Sequence, residues 1–159
     1  MKPVYQVNRN GMEGDCFLAC LASILNLPAG TVPDFGPSIG GEEYVWIAKA
    51  NSWLAQFGLG LIATKLDQID LPLPEALVIV VGKSSGGIPH SCVGRITRKG
   101  EIGWEISLVH DPFLPDEFIR QHRAALEADD WRWGLVNPPA EWDVYFLVET
   151  GYRIAQSKG

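Results

Sequence analysis

A chain of 159 residues with 47% hydrophobic content is the size of one domain and has enough apolar material to bury a core. Its net charge of −6 argues against a nucleic-acid partner, because holding phosphates takes clustered Lys and Arg, and the chain has no such patch. No run approaches the roughly 18 apolar residues of a membrane span. The N-terminus MKPVYQVNRNGMEGD lacks an apolar signal region, so a cytoplasmic protein without a membrane partner is expected. Three cysteines, an odd number, favour reduced thiols over a disulfide framework.

The first predicted element is a helix from Cys16 to Asn26, with Asp15 as its N-cap and Pro28 beyond its end. Phe17, Leu18, Leu21, Ala22, Ile24 and Leu25 surround it on most sides, so it should be deeply buried with only its N-terminal end open. The Pro- and Gly-rich run PAGTVPDFGPSIGG follows as a loop long enough to border a cleft. A second helix, Glu42 to Phe57, should stop at Gly58. Short strands are expected at Leu59 to Thr64 and at Ala76 to Gly82, the latter with the continuous apolar run of a central strand. After the rim SSGGIP, a strand begins at His90, turns at RKGE and returns through EISLVHDP, which ends on His110 and Asp111. A surface helix begun by Pro115, a last strand at Val144 to Glu149 and a frayed tail over 151–159 complete the chain. The pattern is α+β, with residues 1–150 forming a single domain. It contains no repeat and no Gly-rich phosphate motif.

Cys16 is the residue that needs explaining. A thiolate is the reactive form of cysteine, and the unpaired N–H groups and macrodipole at a helix N-terminus stabilise it. A cysteine nucleophile also needs an imidazole to take its proton and a third group to orient that imidazole. In an antiparallel hairpin centred on RKGE, the start of one strand lies beside the end of the other, which makes His90 and Asp111 cross-strand neighbours. Cys16, His90 and Asp111 then form a nucleophile, a base and an orienting carboxylate.

The Gln-containing N-terminal segment, DCFLACLASIL, a His opening a strand and an Asp-Pro closing the next resemble the papain-like cysteine peptidases. The likeness is greatest to the bacteriocin-processing peptidase domains that trim double-glycine leaders, and it spans Tyr5 to Pro112 in its order of motifs. It implies a nucleophile helix packed on an antiparallel sheet, with Cys16 as nucleophile, His90 as general base, Asp111 as orienting carboxylate and Gln6 as the side-chain donor of the oxyanion hole. It also implies a peptide or protein substrate ending in glycine, and no cofactor. The chain departs from that pattern at Phe17, where the family has glycine. Gln6 also stands ten residues before Cys16, farther than the family's spacing, and leaves Asn8 and Asn10 as substitute donors. EGDCF has a fainter likeness to the ovarian-tumour deubiquitinases, which keep their acid close to the histidine on the same strand; HSCVGRI has none there.

The remaining candidates have plainer readings. Cys20 falls in the apolar middle of the helix and should pack in the core. Cys92, two residues past His90, shares its face of the strand and is core or site lining. A zinc site from Cys16, Cys20, Cys92 and His90 is disfavoured because C-x-x-x-C inside a buried helix lacks a knuckle and no second close pair follows. His110 alternates against Asp111 and is expected to be a solvated or structural residue, and His122 to be exposed on the charged helix. Trp104, Trp131, Trp133 and Trp142 are core or cleft wall. Besides a peptidase, the same features fit a papain-like binding or inhibitor module without turnover, and a transglutaminase-like acyltransferase. Oligomeric state leaves no signal in the sequence.

Overall fold

The computed structural model describes residues 1–7, 15–36, 43–69, 75–84, 87, 89–101, 103–113 and 135–149. The expected surface helix after Pro115, with His122, Trp131 and Trp133, lies outside them, as do Asn8, Asn10 and the 151–159 tail.

Helix α1 spans Cys16–Leu25 and α2 spans Glu43–Leu54, the latter running on into a 3-10 turn at Ala55–Phe57. The strands are β1 Leu59–Lys65, β2 Glu75–Lys83, β3 Pro89–Lys99, β4 Gly103–His110 and β5 Asp143–Glu149. All neighbouring strands are antiparallel, in the order β1-β5-β2-β3-β4. The architecture is therefore α+β, with both helices packed on a five-stranded antiparallel sheet.

The apolar run of β2 explains its central place. Ile79 joins a core with Cys20, Leu21, Ala50, Leu54, Leu61, Val93 and Tyr145 under the helices. Its neighbours Val78 and Val80 join a second core on the opposite face with Cys92, Ile96, Trp142, Val144 and Phe146. A strand that alternates between two buried faces needs hydrophobic residues at every position. The loop after α1 takes part in the first core instead of only bordering a cleft: Val32 and Phe35 are buried, and Phe35 packs 5.9 Å from the Trp53 ring.

Both helix ends are set by backbone in the left-handed region. Asn26, at φ 56°, closes α1 one residue before the expected end, with the Leu27 N–H donating to the Ala22 carbonyl at 2.9 Å. Gly58, at φ 69°, closes the turn after α2, where any β-carbon would be strained. The N-terminal segment 1–7 forms a strap. Val4 N–H donates to Ser23 Oγ at 2.9 Å, and the Gln6 N–H donates to the Pro112 carbonyl at 2.9 Å. The strap thus ties α1 to the segment just past β4.

Candidate active site

Three elements converge at one end of the sheet. Cys16 is the first residue of α1 and is half-buried, whereas every residue from Ala19 to Ser23 is buried. Asp15 holds the N-cap position as expected, but its side chain caps no helix N–H; its Oδ2 accepts from the Val7 N–H at 3.3 Å. The first turn of α1 therefore keeps its donors directed at the thiol's end of the helix.

His90 lies at the start of β3, opposite Gly82 of β2. Its Nε2–H donates to Asp111 Oδ1 at 2.8 Å, with His90 and Asp111 side chains 12% and 1% exposed. Oδ1 also accepts the Phe113 N–H at 2.9 Å, which fixes the carboxylate from the backbone of its own turn. With Nε2 committed to Asp111, Nδ1 is the ring nitrogen left to face Cys16, whose thiol is hydrogen-bonded to His90.

The route to this contact differs from the expected one. The β3–β4 ladder pairs Arg98 with Trp104 and Gly94 with Leu108, then shifts register between Val93 and Gly94 so that Val93 faces His110. His90 is thus three residues beyond the last ladder pair and is no direct cross-strand partner of Asp111. The side chains meet because Asp111 leaves the strand and turns back, its carboxylate caught by Phe113. A bulge is invisible to a hairpin drawn from its turn alone.

The electrostatics follow from these contacts. Burial pushes the Cys16 thiol up, but the hydrogen bond and charge of His90, together with hydrogen bonds from Ser91, outweigh it and leave the thiol below its ordinary value. Burial likewise pulls His90 down, while Asp111 and Cys16 pull it up more strongly, to about 9. Cys20 and Cys92 are raised well above the ordinary thiol value, chiefly by burial. Of the three free cysteines, only Cys16 is less than fully buried.

Phe17, immediately after the cysteine, does not face the cleft. Its ring packs edge-on against Trp46 at 5.1 Å and Tyr145 at 5.3 Å, so it plugs the helix into the sheet. Gln6 is half-buried on the strap, its backbone N–H donating to the carbonyl of Pro112, the residue that follows Asp111. The rim after β2 carries a turn in which the Gly87 N–H donates to the Ser84 carbonyl at 2.9 Å.

His110 is buried, not solvated. Its Nε2–H donates to the Val4 carbonyl at 2.7 Å and its ring stacks edge-on with Tyr5 at 5.1 Å, so it anchors the strap. Sequence reasoning missed two participants. Ser91 had no signal beyond its adjacency to His90, and Phe113, 6.4 Å from the His90 ring, acts through a backbone N–H that any residue there would supply. The chain matches no family model, no curated protein and no solved structure.

Proposed function

We propose that this chain is a papain-like cysteine peptidase or isopeptidase, acting through a thioester on Cys16. One observation carries the reading: a half-buried thiol at a helix N-terminus is hydrogen-bonded to an imidazole whose other nitrogen is held by a buried carboxylate 2.8 Å away. That is the relation of nucleophile, base and orienter, and it is assembled from three distant parts of the chain. A helix on an antiparallel sheet, with the cysteine first and the histidine opening a later strand, supports the papain-like assignment.

In this reading Cys16 Sγ attacks the substrate carbonyl carbon, forming a C–S bond and a tetrahedral oxyanion. The Cys16 N–H and the Gln6 side-chain amide stabilise that oxyanion. The intermediate collapses with cleavage of the C–N bond, and His90 gives its Nδ1 proton to the leaving amine. Water, deprotonated by His90, then releases the acyl group as a carboxylate and regenerates the thiol. Asp111 keeps the ring in the tautomer and orientation this requires. A panel of glycine-ended peptide and ubiquitin-type reporters tests the reading. Turnover that disappears in Cys16→Ser supports it. Reporter binding without turnover in the wild type, with no difference in iodoacetamide labelling among the three cysteines, overturns it in favour of a binding module.

A further inference from the structure

We propose that His90, Cys92 and Asp111 form a binding site for a zinc ion on the side of the imidazole that faces away from Cys16. Each offers one ligand atom, and these atoms all lie within 4.8 Å of one another. The grouping comes from the strand itself. His90 and Cys92 are two residues apart on β3 and so share a face, and Asp111 turns back over that face from the end of β4.

The donor set selects the metal. Imidazole nitrogen, thiolate sulfur and carboxylate oxygen together suit zinc, whereas calcium and magnesium take oxygen ligands. Zinc–ligand bonds of about 2.0 to 2.3 Å place tetrahedral ligands roughly 3.5 Å apart. The 2.8 Å contact between His90 Nε2 and Asp111 Oδ1 is shorter than that, and the widest separation of 4.8 Å is longer. Small rotations of side chains already in contact therefore open one gap and close the other. The Phe113 N–H on Asp111 Oδ1 supplies the outer-shell anchor that metal-binding carboxylates need. His90 is the only one of the three with appreciable side-chain exposure, so the ion enters along its ring. On binding, Cys92 Sγ and His90 Nε2 each release a proton to solvent, and the ring keeps its remaining proton on Nδ1. The ring is then neutral and no longer gives Cys16 the positive partner that favours its thiolate. This consequence, unlike the site, rests on the proposed function.

Cobalt(II) titration of the full-length chain is the test, because a thiolate ligand adds a sulfur-to-cobalt charge-transfer band and tetrahedral coordination gives intense visible bands. The expected result is one ion per chain, displaced by zinc, with the thiolate band retained in Cys16→Ser and lost in Cys92→Ser. Zinc affinity should fall about tenfold or more in Asp111→Asn, which keeps the side-chain volume and gives a reading even where Cys92→Ser fails to fold. A thiolate band lost in Cys16→Ser and kept in Cys92→Ser would place the ion between Cys16 and His90 and overturn the proposal. So would absence of binding to the folded wild type, or unchanged affinity in Asp111→Asn. Reporter turnover does not enter these readouts, so the site and the proposed function fail separately.

Discussion

Cys16 and Cys20 stand one turn apart on the same helix, in surroundings that push their thiols in opposite directions. The first turn of α1 meets the start of β3, where His90 and Ser91 offer hydrogen bonds to sulfur; the second turn is sealed against Ile79, Val93 and Tyr145 and offers none. Burial opposes ionisation of both thiols, yet only Cys16 has an imidazole to offset it. The contrast teaches that the helix end and its partner, not the residue type, decide whether a buried thiol is lowered or raised.

The sharpest break in the comparison comes from removing each sulfur. Cys16→Ser should abolish reporter turnover while leaving the thermal midpoint nearly unchanged, since the site is half-open. Cys20→Ser should keep turnover but cost about 1 to 3 kcal/mol in denaturant unfolding, the price of a hydroxyl in an apolar core. A large stability loss in Cys16→Ser would make that thiol structural.

Next in size is loss of the imidazole. His90→Ala should slow iodoacetamide labelling of Cys16 near neutrality by about 100-fold, read by mass spectrometry, and leave Cys20 and Cys92 as unreactive as before. The pH dependence sharpens this. Raised to about 9, His90 contributes stability that is fully present below its unfolded value of roughly 6.5 and is lost as pH rises through about 9. The lowered thiol contributes in the opposite sense, its share present above the ordinary thiol range and lost as pH falls through its folded value. The thiolate–imidazolium pair therefore persists between these limits. Wild-type labelling should stay fast at pH values below the roughly 8.5 of a free thiol, and the stability gap between wild type and His90→Ala should narrow above pH about 9.

A smaller effect is expected at the orienting residue. Asp111→Asn should lower turnover about tenfold or more with little change in substrate binding, because the ring loses its preferred acceptor. The smallest effect on chemistry belongs to His110→Ala. That variant removes the 2.7 Å donor to the buried Val4 carbonyl and leaves it only the 3.4 Å hydrogen bond from Ser23 Oγ, costing about 1 to 3 kcal/mol in unfolding while labelling of Cys16 continues. Fast loss of labelling in His110→Ala would show that the strap, not only His90 and Ser91, sets the thiol's surroundings.

The elements were legible where local patterning decides them. The all-round apolar run after Asp15 and the β2 run Ala76 to Gly82 mark their elements to within a residue. What stayed hidden depends on tertiary partners. The shift between Val93 and Gly94 moves His90 off the ladder with β4, and nothing in HSCVGRI marks it. The burial of His110 depends on the Val4 carbonyl, 106 residues away in the chain. The place of β5 between β1 and β2 is likewise a long-range pairing without a local cue.

That last feature bears on how the molecule reaches its working state. The strand drawn from residues 143–149 fills a gap between two strands made earlier, pairing with Leu59–Lys65 on one side and with Val78 to Val81 on the other. Until it arrives, β1 and β2 expose unsatisfied backbone to each other's vacancy, and Phe17 lacks the Tyr145 ring that steadies the start of α1. Such non-local closure is slow compared with hairpin formation. During synthesis the β3–β4 hairpin can form early, but the start of α1 is held in its final setting only after residues 143–149 have been made and have closed the sheet.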